Sequence, residues 1–556
     1  MKRKLLYLAQ AALIMVLFYF CILPIIMVLI YGLTDFSVID QNLITRVWEL
    51  LENSLFVSIT VTCISVILGL IVTFTLKRFR FWGKGILKVL MLLPLVNPTF
   101  VGSIAFIMLF GKRGLITYRL LHLSISPYGW QGIVILQVLT LTTLAYLLIS
   151  ASIEKVDFTL ENAARNLGAS ELTILFKVTL PMMLPEITAA ALLVFLASMA
   201  DFSTPLIIGG SFRTLASDIY TQITGVYNMQ TAAISGIALV IPCLIAFFME
   251  RRIRNKRKYT SETSNPMDME YQYVSKFVKI LMIICTIGTV SFFVIEFSFI
   301  IIGIFTKNWG YDYTFTLQYL QIAFSKDLRP YYNSVQLAFI TATVASLLGS
   351  VLAFLIHRQK IIGSKFVDFI CVFPAAIPGV LFGVGYLVTF KYPLFGIGKY
   401  IFKDAPSVVL LGTGVIIYCI CIARSINMPL KTGYSTLEHL DSDLENAAYN
   451  LGAGKIYTFI HVVIPMLKDS FFNSFLKIFS STMTTLGAII FLLLPKNKVA
   501  IQIIFQTITS ESLGTTAALS MMLSLLNLTL LLVFYLLINW RSVLEEIERR
   551  LPCKSN

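Results

Sequence analysis

The chain has 556 residues, of which 57% are hydrophobic and only 13% charged, with a mean hydropathy of +0.83; this leaves too little polar surface to clothe a water-soluble globule. It is a bilayer protein. The net charge of +15 is the imprint of basic loops on one membrane face, so it implies an anionic lipid surface rather than nucleic acid.

The first apolar run, near 8–31, follows Met1-Lys2-Arg3-Lys4 and has no small-residue cleavage site, which predicts a retained helix rather than a removed signal peptide. Runs near 53–76, 86–110, 130–152, 187–209 and 232–249 follow, each long enough to cross roughly 30 Å of hydrocarbon as a helix. The basic stretch from Arg251 to Lys258 and the polar Thr260–Pro266 then read as a linker over 251–276. Six further runs lie near 277–305, 333–356, 366–390, 406–424, 471–494 and 517–539. The expectation is an all-α membrane protein of about twelve spans, arranged as repeats 1–250 and 277–556.

A duplication underlies this count. Leu160-Glu161-Asn162-Ala163-Ala164-Arg165-Asn166-Leu167-Gly168-Ala169 recurs as Leu444-Glu445-Asn446-Ala447-Ala448-Tyr449-Asn450-Leu451-Gly452-Ala453, with one difference. Pro181 and Pro465 keep the same offset of 284, whereas Asn53-Ser54 with Asn333-Ser334, Gly69 with Gly349, Pro94 with Pro374 and Pro98 with Pro378 lie 280 apart. Six spans per half make the repeats parallel, so both decapeptides face one compartment. The concentration of Lys and Arg in the segments on that side predicts cytoplasmic termini and cytoplasmic decapeptides.

The decapeptides sit in long loops, near 153–186 and 437–470, between the fourth and fifth spans of each half. Leu160, Ala163, Ala164 and Leu167, like Leu444, Ala447, Ala448 and Leu451, are spaced as one apolar helical stripe, which Gly168 and Gly452 stop. Ser442 and Glu445 suggest a capping box in the second copy alone. A second short helix is expected to run from Ser170 or Gly454 until Pro181 or Pro465 ends it. Such a helix pair is either a small-residue knob for a partner's groove or a cover over the end of the bundle.

Asp201 is a membrane-embedded carboxylate, costing roughly 3 kcal/mol on insertion scales. With Ser203, Thr204, Thr482, Thr484 and Thr485 it is a candidate lining of a polar path; the alternative is that the hydroxyls bond their own helix and Asp201 a neighbouring one. Glu296 reads as a packing or interface carboxylate. No base is expected at mid-membrane, Arg213 lying toward the outer end, and this tilts the cargo toward a cation. Pro94, Pro98, Pro374 and Pro378 break the third span of each half, and Gly379-x3-Gly383 offers a close helix crossing. The cysteines fall mostly within spans without C-x-x-C, and His122, His357, His439 and His461 are scattered, so no metal site is expected.

The pattern Ala-Ala-x3-Gly with a Pro thirteen residues on, in the loop before the penultimate span, resembles the EAA loop of permeases from binding-protein-dependent ABC importers. Both copies carry it, at Ala163-Ala164, Gly168, Pro181 and at Ala447-Ala448, Gly452, Pro465. The family's Glu before the two alanines is Asn162 and Asn446 here, with Glu161 and Glu445 one step earlier. The resemblance implies two fused permease units, coupling helices that seat in two copies of a cytoplasmic ABC ATPase, an external solute-binding protein, and residence in a bacterial cytoplasmic membrane. It implies ATP and Mg on the ATPase and no cofactor on this chain; no G-x4-G-K-[ST] is present. Asp201–Pro205, Gly209-Gly210, Thr214–Ala216 and Thr484–Phe491 are most similar to the ferric-iron branch, with thiamine, phosphonate or sugar-phosphate cargo as alternatives. A twelve-span secondary transporter is the rival of another class.

Overall fold

A computed structural model describes residues 2–34, 39–95, 100–122, 127–153, 158–256, 275–359, 361, 363–391, 410–439 and 443–538. Pro98, Ser442 and most of the linker lie outside the described residues.

The first half runs α1 (Lys2–Cys21), α2 (Leu23–Gly32), α3 (Gln41–Arg78), α4 (Lys84–Leu90), α5 (Val101–Phe110), α6 (Trp130–Ile153), α7 (Phe158–Asn166), α8 (Glu171–Ile174), α9 (Leu180–Ala200), α10 (Ser203–Ile208), α11 (Leu215–Thr221) and α12 (Met229–Lys256). The second opens with α13 (Lys276–Ile304), an antiparallel hairpin of β1 (Thr306–Asn308) and β2 (Asp312–Phe315), α14 (Gln318–Ser325), α15 (Arg329–His357), α16 (Ser364–Ala376) and α17 (Gly379–Phe390). It continues with α18 (Val415–Ser425), α19 (Asn427–His439), α20 (Asp443–Asn450), α21 (Lys455–Thr458), α22 (Ile464–Met466), α23 (Lys468–Met483), α24 (Ala500–Ser510) and α25 (Leu513–Ile538).

Among the described residues nine helices are long and apolar enough to span a bilayer, and eleven segments if α1–α2 and α16–α17, bent by 45° and 112°, each count as one. About twelve spans were expected, and the shortfall has a location. The run near 471–494 does not stay helical: α23 stops at Met483 and the chain turns irregularly through 484–494. The first half breaks at the matching place, where α9 ends at Ala200 and α10 begins at Ser203.

In each half the second span is the packing axis: α3 lies against α6 and α9, and α15 against α19 and α23. The close approach depends on glycine at the two matching markers. A Cβ at Gly69 would strike the Ala145 side chain and the backbone of α6, and one at Gly349 the Pro429 ring. The first span of each half crosses to the other half, α2 packing on α17 and α13 on α5. Glu296 of α13 sits against Gly102 of α5 in that crossing, so it is an interface carboxylate. Gly379 and Gly383 admit not a helix but the irregular turn around Ala488, whose nitrogen and carbonyl oxygen would lie 3.2 and 2.6 Å from the added Cβ atoms.

The repeated Asn-Ser pairs acquire a reason. Asn53 Nδ2 donates to the Arg213 carbonyl and Ser54 Oγ accepts from Leu215 N–H at 2.8 Å; Asn333 Nδ2 donates to the Lys498 carbonyl and Ser334 Oγ accepts from Ala500 N–H at 2.9 Å. In both halves the pair ties the second span to the start of a short helix, α11 or α24, satisfying amides that the helix itself leaves open.

Candidate functional site: twin knobs and a shared cavity

α7 and α8 form the first knob, α20 and α21 the second. Gly168 and Gly452 terminate the leading helices at φ +84° and +86°, the left-handed region. Ala169 N–H donates to the Ala164 carbonyl at 3.1 Å and Gly168 N–H to Arg165 at 2.9 Å, a Schellman cap; Ala453 N–H repeats the first bond to Ala448 at 3.0 Å. Ser170 then caps α8 by accepting from Thr173 N–H at 3.3 Å. Arg165 locks the first knob across its corner, donating to both Glu171 oxygens and to Asn162 Oδ1.

Pro181 and Pro465 do not end the second helix, as the sequence suggested. Each lies in the first turn of the next helix, α9 or α22, behind a π-helical turn at Leu175–Thr179 or Phe459–Val463. A first-turn proline forfeits no helical hydrogen bond, so the chain runs from the knob into that helix without a stop.

The decapeptide's polar and apolar sides part company. Leu167 and Leu451 are each 89% exposed, and Leu160, Leu444, Ala163 and Ala447 are exposed with them. The stripe read as one helical face therefore looks away from the protein's own core. Glu161, expected on the coupling surface, is instead 3% exposed: it faces Arg78 at 3.3 Å and accepts from Thr179 Oγ1 at 2.7 Å. Glu445 likewise faces Arg358 at 3.3 Å. These carboxylates, the first buried and the second partly so, anchor the knobs inward, because a shielded carboxylate on a helix with an exposed apolar face finds its partner in the span behind it. Arg78 ends α3, Arg358 directly follows α15, and the two lie 280 residues apart, so the spacing of the other early markers was the signal for them.

Both knobs sit at one end of the bundle. The Lys279 ammonium, at the start of α13, lies 5.5 Å from the Phe79 ring that follows Arg78. At the end of α12, Arg251 pairs with Asp368 at 2.7 Å, and Asp368 accepts from Tyr434 Oη of α19, the helix leading to the second knob.

A cavity of about 400 Å³ lies where the two broken fifth spans meet. Asp201, Ser203, Thr204, Thr482 and Thr485 line it; Thr484 is not among its lining residues and donates to the Ser480 and Ser481 carbonyls. Under the offset of 284, Asp201 matches Thr485, Gln137 matches Cys421 and Thr140 matches Arg424, and all six line the cavity. Residues at matching positions of the two halves thus line one space.

Asp201 is heavily engaged. Its Oδ1 accepts from Ser203 N–H at 3.0 Å, Ser203 Oγ at 2.9 Å and Thr204 N–H at 3.2 Å, capping α10, and its Oδ2 accepts from Gln137 Nε2 at 2.9 Å. Gln137 Oε1 accepts in turn from Ser198 Oγ at 2.6 Å. The cavity wall also holds a base, Arg424, whose Nη1 donates to the Ile377 carbonyl at 2.9 Å, the group freed where α16 breaks. No mid-membrane base was expected, so the sign argument for a cationic cargo falls. The apolar run 406–424 ends at Arg424, but the membrane-spanning segment is Val415–Glu438, which carries Arg424 inward.

Comparison with known proteins fits this geometry. The profile described as the binding-protein-dependent transport system inner membrane component matches residues 65–259 and again 345–542. The ferric transport system permease protein FbpB of Actinobacillus pleuropneumoniae is 27% identical over 546 residues, 95% of this chain and 77% of its own length. A putative ferric transport system permease protein, FbpB 1 of Haemophilus influenzae, is 27% identical over 510 residues, 87% of this chain and 78% of its own length. The molybdenum transport system permease protein ModB of Escherichia coli K12 is 32% identical over 219 residues, which is 96% of that protein but 38% of this chain. Two matches to one profile, on two halves that repeat each other's knob, anchor and broken span, make this chain a fused, two-unit member of the inner membrane permease family of binding-protein-dependent ABC transport systems.

Proposed function

We propose that the chain is the membrane pathway of an ATP-driven importer of ferric iron, receiving cargo from an external binding protein and work from two copies of a cytoplasmic ABC ATPase. The observation that carries this is the matched pair of knobs, each presenting a leucine 89% exposed just past a helix whose carboxylate is paired from behind with a guanidinium. Exposed apolar side chains held at fixed positions are a docking surface. Rigid anchoring at Arg78 and Arg358 then passes a partner's displacement into α3 and α15, the axes on which the fifth spans pack. Glu161 and Glu445 position the knobs, and Ala163, Ala164, Leu167, Ala447, Ala448 and Leu451 meet the ATPase. The termini and knobs are cytoplasmic. Asp201, Ser203, Thr204, Thr482 and Thr485 line the route between them and the outer face. Iron as cargo rests on the ferric permeases that match along most of the chain.

The test is Leu167→Asp with Leu451→Asp. Both side chains are solvent-facing, so the doubly substituted chain folds with unchanged thermal stability, yet loses co-purification with its ATPase and ATP-driven iron uptake. A variant that still binds the ATPase and takes up iron overturns the reading.

A further inference from the structure

The cavity is charged asymmetrically, and the asymmetry bears on the form in which cargo crosses. A carboxylate accepts about four hydrogen bonds, and Asp201 already takes four, three of them holding the start of α10. A bare trivalent ion would have to strip that cap to gain one ligand. Among the described residues no three His, Cys, Asp or Glu side chains gather into a metal-holding group. Elsewhere in the lining a guanidinium, that of Arg424 with five donors, makes its one described hydrogen bond to the Ile377 carbonyl. Arg424 lines the space together with Ser425, Ser481 and Thr485. The guanidinium offers a bare cation no ligand, whereas it holds an oxyanion. The volume of about 400 Å³ equals roughly a dozen waters' share of liquid, room for a metal with a coordination shell.

We propose that Arg424 is an oxyanion-binding residue of the cavity wall, and that the metal crosses carrying anionic oxygen ligands of the phosphate or carboxylate type rather than bare. Arg424 engages the ligand's oxygens while the hydroxyls of Ser425 and Ser481 in the same lining donate to the rest of the shell. The metal half of the proposal rests on the importer reading. The contact with Ile377 is structural, so the test separates the two roles.

The complete complex, with ATPase and binding protein, is placed in proteoliposomes and given radiolabelled iron with radiolabelled phosphate, or in a parallel arm with radiolabelled citrate. Iron and one labelled anion accumulate together, and the arm in which they do so identifies the source. Arg424→Gln, which keeps a donor but no charge, lowers uptake of both about tenfold, and Arg424→Lys restores part of it. Iron that enters without either anion, or uptake unchanged in Arg424→Gln, overturns the proposal. Should wild-type vesicles take up no iron, the importer reading fails instead, and equilibrium binding of labelled phosphate to the full chain decides the Arg424 assignment. Binding lost in Arg424→Gln upholds it, and binding absent or equal in both chains overturns it.

Discussion

Gly168 and Gly452 isolate one physical effect with little else mixed in. At φ +84° and +86° both sit where an L side chain is strained, and a Cβ built on either meets nothing within 4 Å. Any cost of substitution is therefore backbone strain and not collision. For alanine that strain is about 1 kcal/mol, and for a β-branched residue about 2 kcal/mol or more. With 1.4 kcal/mol per factor of ten, the capped conformation loses about fivefold in Gly168→Ala and about thirtyfold in Gly168→Val. Asparagine, larger than alanine but tolerant of the left-handed region, loses less than either. The direct readout is hydrogen exchange at Ala169, whose amide is held by Ala164, and at Ala453, held by Ala448; protection falls in the order Gly, Asn, Ala, Val. ATP-driven uptake follows the same order, and the losses at the two knobs multiply. If asparagine proves as damaging as valine, side-chain size governs, and the strain argument is refuted.

The anchors and the cavity yield two further outcomes. Arg78→Ala leaves Glu161 buried without its guanidinium, both side chains being 4% exposed, and lowers stability by about 3 kcal/mol. Arg358→Ala costs less because that pair is 18% and 14% exposed; thermal unfolding of the two purified variants checks the order, and equal losses refute it. Asp201→Ala removes the acceptor for three donors at the start of α10 and costs about 2 kcal/mol. Asp201→Asn keeps that acceptor, and a rotation of the Gln137 amide accommodates the new NH2 group, so its thermal stability stays within about 1 kcal/mol of wild type; a loss equal to that of Asp201→Ala refutes the capping role.

The membrane character, the duplication, most span positions and the knobs were all legible in the chain, because each rests on local quantities. Apolar run length answers to bilayer thickness, a repeated decapeptide answers to ancestry, and a left-handed helix stop answers to glycine. The offset of 280 that relates the Asn-Ser markers also relates Arg78 to Arg358, though only the structure shows them as anchors. Hydropathy could not tell a span from a broken one. The run 471–494 is apolar enough on average to read as a span, yet Thr484–Leu494 turns irregularly, since its backbone is packed against Gly379 and Gly383 of α17; in a bilayer an irregular backbone survives only where protein or a cavity covers it.

Charge placement was likewise beyond a linear reading. Glu161 is polar and lies one step from an exposed stripe, and only the position of Arg78 at the end of α3 turns it inward. Arg424 and Asp201 stand 223 residues apart in different halves, and their meeting in one cavity depends on how α18 and the break after α9 are brought together. Sequence periodicity specifies which side chains share a face of one helix. Which faces of different helices enclose the same space is decided by packing, and the chemistry of the pathway resides in that space.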